Sequence, residues 1–595
     1  VMEFREKVLE QASTITDGCM GHEEAFCVAA CPMHTDVKKY VAQIGKGDYE
    51  AALKTIREKL FLPNTLGRIC AHPCEVDCRR NTEFGQAISV AGLKRFAAEK
   101  ADRKELWDDA VGTPTGKKVA IIGAGPAGAQ AAIDLRKAGH EVVIYDKLTV
   151  VGGMMRVGIP EYRLPREVID FEYSYLEDLG VNFQMGVEIG KDMTFEQLRE
   201  DYDSVIVANG AHVGSIPPVP GKDANGVFNA VDYLKEISLT HKFPKVGKRI
   251  AVIGGGDVAM DCARSSWRIG ADEVFLISLE ELESLPASQA EIDESQEEDV
   301  QFINGWGTDE ILKDDGGKVT GMRLKKVISV FDENGRFAPT FSNEMKEIEV
   351  DSIVFATGQQ VQDVSNGLLE QKGGGRYVTD SETLATNLPD VFVAGDASGG
   401  AIVVQAMALG RKAAASADRF LKEIDLTEGR QFKFEYSFET RLDVPLPKGT
   451  ENLPRTSGNH RPAKERKWDF KPYDLGYTDE QAKKEASRCI QCECKLCMTE
   501  CIMLNDFGEC PQDIFSEFLE KGEIDPVIPY SCNMCGGCTH VCPNDYGIGE
   551  TFMGMRKDFI LHNDGKSPME GHKAIEIHQK LGFSKVFCTK VKGVK

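Results

Sequence analysis

Long apolar runs are missing from this chain: no stretch of about 18 residues is hydrophobic enough to read as a membrane-spanning helix. The opening, VMEFREKVLEQ, is charged and amphipathic and lacks the apolar heart of a secretion signal. Basic charge is also in short supply. Against 94 acidic residues stand 71 lysines and arginines, a formal net charge of −23. A surface so acidic repels phosphate backbones, which argues against nucleic acid as a partner. Low-complexity tracts are absent, and the middle of the chain is almost free of cysteine: between Cys78 and Cys489 only Cys262 occurs. A disulfide-stapled secreted protein would spread its cysteines through small, loop-rich domains instead. What remains is a chain of 595 residues, 42% hydrophobic and 28% charged, enough for roughly three to five domains.

The cysteines that are present crowd the two ends. Six lie near the start: Cys19, Cys27, Cys31, Cys70, Cys74 and Cys78. Ten lie between Cys489 and Cys542, and Cys588 stands alone near the end. Such bunches predict metal or iron–sulfur sites in a reducing cytoplasm. Cys532-x2-Cys535-x2-Cys538-x3-Cys542-Pro is the bacterial ferredoxin run, whose fourth cysteine serves the other of two cubane clusters. The group before it (Cys489, Cys492, Cys494, Cys497, Cys501 and Cys510) is irregular in spacing. Two cubanes need eight thiolates and ten are present, so the partition stays open. Overlapping four-cysteine runs that end in Cys-Pro favour cubanes over zinc.

Between the ends the pattern changes twice. Residues 1–110 carry apolar positions at helical spacing and read as a helical iron–sulfur domain. From Lys117 short β-branched runs alternate with helices, which predicts parallel α/β sheets wound on both faces. Residues 426–480 are polar and Pro-containing and read as an extended linker, with a second iron–sulfur domain over 481–595. The only internal repeat expected is a pair of strand–Gly–helix units near residues 118 and 249.

In the first unit, KKVAIIGAGPAGAQ, Gly123, Gly125 and Gly128 follow a strand and open a helix that includes Pro126 and Ala127. Without side chains they permit a tight turn and let backbone N–H groups approach a pyrophosphate. Asp146 ends the next strand, where a carboxylate accepts ribose hydroxyls. The second unit repeats the logic with Gly254, Gly256 and Ala259, with Gly255, Asp257 and Val258 in the same turn; its next strand ends in Ser278-Leu279-Glu280. Two nucleotide sites in one chain predict a flavin and a nicotinamide exchanging a hydride. Asp351–Gly358 reads as a strand with a small-residue turn, and Gly395-Asp396 precedes a helix carrying Gln405 and Ala406.

These motifs, together with VGGMMRVGIPEYRLPREVI, EAFCVAACPMHTD, LPNTLGRICAHPCEVDC and LPASQAEIDE, resemble the glutamate synthase small-subunit family. That family includes the NADPH-binding subunit of a bifurcating ferredoxin:NADP oxidoreductase and the N-terminal half of dihydropyrimidine dehydrogenase. The resemblance covers about residues 15–420. It implies an FAD-binding domain over 111–225 and 346–425, with an NAD(P) domain at 226–345 between them. Lys147, Gly153, Met154 and Arg163 join the flavin set, and Gly358 the nicotinamide set; the flavin itself carries the hydride chemistry. Disulfide-reducing relatives carry a redox cysteine pair that VVGGMMRVG lacks, and Cys262 reads as a small core residue.

The resemblance also implies ligand sets. Cys19, position 22, Cys27 and Cys78 would hold one [4Fe–4S] cluster, and Cys31, Cys70 and Cys74 another. Two departures stand out: His22 replaces a cysteine, and Lys94 stands where relatives carry a carboxylate or amide. An imidazole can ligate iron and raise the potential, whereas an ammonium cannot. The expectation is a cytoplasmic FAD-dependent oxidoreductase subunit with about four clusters, working with another redox subunit, a ferredoxin being one candidate. NAD(H) is expected over NADP(H), because Glu280 takes the place of the basic residues that hold a 2′-phosphate. The alternatives are a glutamate synthase small subunit and an electron relay with an inactive nicotinamide site.

Overall fold

Val119–Ile121 and Val205–Val207 are completely buried, as the β-branched runs require. They form the middle of a fully parallel sheet in the computed structural model. Its strand order is Val391–Val393, Ser204–Val207, Lys118–Ile122, Glu141–Asp146, Asn182–Met185. A second parallel sheet runs Val227–Asn229, Ser352–Phe355, Arg249–Ile253, Glu273–Ser278, Gln301–Asn304. Three antiparallel strands (Trp306–Lys313, Val319–Phe331 and Phe337–Ile348) follow it. The structure describes residues 2–19, 21, 24–243, 245–400, 402–430, 446, 449–492, 494, 496–542 and 544–584. His22 and Cys588 therefore lie outside the described residues.

The chain divides into two compact units. The larger holds Cys27–Tyr436 and Asn452–Cys489; the smaller holds Val1–Phe26, Ser437–Glu451 and Ile490–Lys595. In the larger unit, helices Val37–Lys46 and Tyr49–Arg57 start at Asp36 and Asp48, whose carboxylates accept the N–H of Lys39 and Ala51. Glu172, fully buried, accepts the N–H groups of Asn64 and Thr65 at the start of helix Pro63–Ile69. Cys262 sits at full burial in helix Asp257–Arg268, and that burial pushes its thiol pKa well up.

The stretch from 452 to 480 does not behave as an extended linker. It packs against the second parallel sheet's domain and is part of the larger unit. Arg466, almost fully buried, pairs with Glu298 at 3.0 Å and Glu297 at 2.9 Å. Arg268 donates to the Asp469 carbonyl, and Phe470 stacks on His241 with ring centroids 4.5 Å apart. The segment docks through arginines and isolated aromatics, so it carries no amphipathic period to read.

In the smaller unit, Val8, Ala12 and Ile15 of helix Met2–Gly18 join a core with Phe515, Phe518, Phe552 and Met555. Arg5 pairs with the buried Asp558 at 2.9 Å. The first helix thus belongs with the C-terminal cysteines and not with residues 27–110.

Candidate functional site

A cavity of about 470 Å³ lies in the larger unit where its three cysteine-, flavin- and nicotinamide-type parts meet. The first turn contributes Gly123, Gly125, Pro126 and Ala127, with Asp146, Gly153, Met154 and Arg163 alongside. Gly395, Asp396 and Ala406 line it from the end of the first sheet, and Asp257 and Val258 from the second turn. Ile69, Cys70, Ala71 and His72 close it from the helical part. Lys147 lines a smaller adjoining pocket with Gly123 and Asp146.

The turn geometry follows from its residues. Gly123 has φ +116°, and a Cβ there would run into the Ala208 carbonyl. Gly128 likewise has its Cβ position filled by the Gly123 carbonyl and supports the turn from beneath. Asp146 accepts the N–H of Ala124 at 2.7 Å and of Leu148 at 2.8 Å, fixing one carboxylate beside the turn. Burial pushes the pKa of both Asp146 and Asp396 up, the latter opposed by Arg376. The residues present fit a flavin dinucleotide. The cavity wall holds a glycine turn open to a pyrophosphate, two half-buried carboxylates for hydroxyls, and a buried Asn209 Oδ1 with no hydrogen-bond partner.

Arg163 is engaged from the other side of the cavity. Its guanidinium pairs with Asp261 at 2.7 Å and Glu291 at 3.0 Å, both from the second domain. Gln405 is exposed and does not line the cavity, and Gly358, with φ +115°, accepts the Ser215 N–H just beyond the end of strand Ser352–Phe355. Gly254, with φ +145°, opens the second turn. A Cβ on Gly255 would lie 3.1 Å from a Glu280 carboxylate oxygen, so Glu280 stands directly beside that turn. Lys326, close by, is paired with Glu281 at 3.0 Å.

Sequence reasoning missed His72, His212, Asp261 and Tyr473, all of which line the cavity. Burial, then Lys147 and Lys235, lower the His212 pKa to about 4, so it is neutral at ordinary pH. Only the small-residue strand end Ala208-Asn209-Gly210 marks its place in sequence.

The cysteines fall into four neighbourhoods, two per unit. In the larger unit Cys31, Cys70 and Cys74 sit together with the buried Lys94 and Glu75. Cys78 and Cys489 both face the Arg80 guanidinium. Cys27 lies near Tyr40 together with Cys31 and Cys74. In the smaller unit Cys19, Cys494, Cys497 and Cys510 gather, with Cys542 near Cys494. Cys501, Cys532, Cys535 and Cys538 surround a separate pocket of about 380 Å³. Cys492 is half-buried. Among the described residues no group of His, Cys, Asp and Glu converges as ligands of a single metal ion. Thiol-only donor sets are the chemistry of iron–sulfur clusters. Cys19 therefore stands apart from the grouping with Cys27 and Cys78 that the resemblance implies.

Two parallel dinucleotide sheets sharing one cavity, with cysteine clusters at both ends, define a pyridine-nucleotide oxidoreductase with iron–sulfur domains. Residues 117–417 match the family described as pyridine nucleotide-disulphide oxidoreductase, and the chain belongs to it. Residues 3–106 and 466–551 match the family of dihydropyrimidine dehydrogenase domain II, 4Fe-4S cluster. This second match corrects the expectation of a single internal repeat: the cysteine-rich ends repeat too.

The chain is 35% identical over 504 residues to the NADP(+)-dependent formate dehydrogenase subunit beta of Moorella thermoacetica, covering 79% of this chain and 70% of that one. It is 30% identical to the NADPH-Fe(3+) oxidoreductase subunit beta of Geobacter sulfurreducens, over 83% of this chain and 79% of that one. It is 31% identical to the glutamate synthase [NADPH] small chain of Escherichia coli K12, over 68% and 90% respectively. No helix among the described residues is long and apolar enough to cross a membrane.

Proposed function

We propose that this chain is the FAD- and NAD(H)-binding electron-transfer subunit of a larger cytoplasmic redox enzyme. One observation carries the reading: Cys70 and His72 line the same cavity as the first glycine turn and the start of the second. FAD held there would supply the chemistry that turns a hydride pair into single electrons for the clusters. The protein's own part is positioning. The Gly123 N–H is taken by the Tyr145 carbonyl, so the turn offers a pyrophosphate the helix start at Gly125, and Asp146 and Asp396 accept hydroxyls. Met154 and Met155 shape the cavity, and the Arg163–Asp261–Glu291 group ties the two domains across it.

Glu280 supports NAD(H) as the partner nucleotide. Its carboxylate beside Gly255 can accept from a ribose 2′-hydroxyl but repels a 2′-phosphate, and the nearby Lys326 is already paired with Glu281. One repulsion plus one missing ion pair is worth about 2–4 kcal/mol. The relatives' names mention NADP, so the distinction rests on this chain's own residues. Those relatives are also subunits by name, which supports a partner here. Anaerobic flavin bleaching with each nucleotide tests the reading: faster bleaching by NADH is expected, and equal efficiency with NADPH would overturn the preference.

A further inference from the structure

We propose that the two cysteine-rich ends exchange their leading helices, so that each unit's cluster set is completed by the arm of the other repeat. The inference rests on the reading that both ends carry clusters. Both repeats open alike. Helix Met2–Gly18 runs into Cys19, His22, Cys27 and Cys31; helix Asp479–Ser487 runs into Cys489, Cys492, Cys497 and Cys501. The spacing Cys-x2-X-x4-Cys-x3-Cys is the same in each, obscured in the second by the extra Cys494. An unexchanged chain would keep each helix with the later cysteines of its own repeat.

The fold does the opposite. Val1–Phe26 belongs with Ile490–Lys595, and Asn452–Cys489 belongs with Cys27–Tyr436. The break falls inside the motif both times, before Cys27 in one copy and after Cys489 in the other.

Each arm is anchored by specific contacts. The Gln512 amide donates to the Thr16 carbonyl at 3.1 Å, and the Asn544 amide to the Gly18 carbonyl at 2.9 Å. These bring Cys19 within hydrogen-bonding reach of Cys510, and a Cβ on Gly21 would lie 2.5 Å from the Cys510 Sγ. In the reciprocal arm the buried Glu485 accepts the Ser89 N–H at 2.8 Å and pairs with Arg488 at 2.6 Å. Arg488 donates to the Ala87 and Gln86 carbonyls, and Arg80 donates to the Arg488 carbonyl. Cys489 is thereby set beside the same guanidinium as Cys78. This is domain swapping within one chain. Loading a cluster in either unit then depends on the other end of the chain.

Iron content of the full-length, anaerobically purified protein tests the exchange. Cys19→Ala and Cys78→Ala should each lose about four irons, one cubane, and the double variant about eight. Cys19→Ala with Cys497→Ala should lose no more than either alone. One cubane lost in the first pair and two in the second, or unchanged iron in Cys19→Ala, overturns the exchange. Iron-free wild-type protein would instead sink the cluster reading itself. Should a variant fail to fold, disulfide mapping of iron-stripped, oxidised wild type decides. A Cys19–Cys510 or Cys19–Cys497 link is expected, and Cys19 linked to Cys27 or Cys78 contradicts.

Discussion

The two dinucleotide domains share a turn but are held in place differently. The first is tied from within its own domain: Asp146 bonds the Ala124 and Leu148 amides, and helix Val403–Leu421 packs against the turn's helix, Gly410 meeting the Ala127 carbonyl. The second leans on a segment from outside both dinucleotide domains. Its Glu298 binds Arg264, Arg268 and Arg466, the last contributed from beyond residue 452. Its Glu280 carboxylate stands beside Gly255 of the turn, where the proposed function has it meet a ribose 2′-hydroxyl. The same motif is held from within its domain in one case and from outside it in the other, and under the function proposed above the second is the one that selects its nucleotide.

The comparison breaks most severely at Gly123. Gly123→Ala places a methyl group on the Ala208 carbonyl at a φ that favours glycine, and should yield protein without flavin by absorbance. Gly256→Ala, where a Cβ meets nothing within 4 Å, should keep full flavin.

Next comes the ion-pair network. Glu298→Gln leaves buried arginines short of a carboxylate and should cost about 3–5 kcal/mol in denaturant unfolding of the second domain. Burial opposes the ionisation of Glu298, yet Arg264 and Arg268 outweigh it and hold the carboxyl at about 2, below its ordinary 4.5. The folded pKa is depressed, so this stabilisation is fully present above pH 4.5 and is lost as pH falls towards 2. Wild type should lose stability through that window, and the Gln variant should show a flatter acid limb.

A smaller effect is expected at Glu280. Glu280→Arg should narrow or invert the NADH preference, by tens- to hundreds-fold if about 2–4 kcal/mol is at stake. Flavin reduction rates with both nucleotides read it, and an unmoved ratio would remove Glu280 from the selectivity account.

Much of this was legible in the sequence, and the reasons for the gaps are physical. Glycine turns after buried β-branched strands write themselves locally, so both parallel sheets and most of the cavity's turn residues could be placed. The Arg466 and Tyr473 segment could not, because one arginine and one ring leave no period. The exchange of helices was hidden for a different reason. Cys494 and Cys510 blur the repeat of Cys489, Cys492, Cys497 and Cys501, and spacing says nothing about which unit an arm joins. His212 and Asp261 were missed because a lone buried polar residue has no motif.

The claim that one cavity couples nicotinamide, flavin and cluster is tested most directly by freeze-quench EPR of the anaerobic protein mixed with NADH, with flavin absorbance followed in parallel. The account predicts that flavin bleaching is accompanied by reduced-cluster signals without any added partner. Full flavin bleaching with every cluster left oxidised would contradict it.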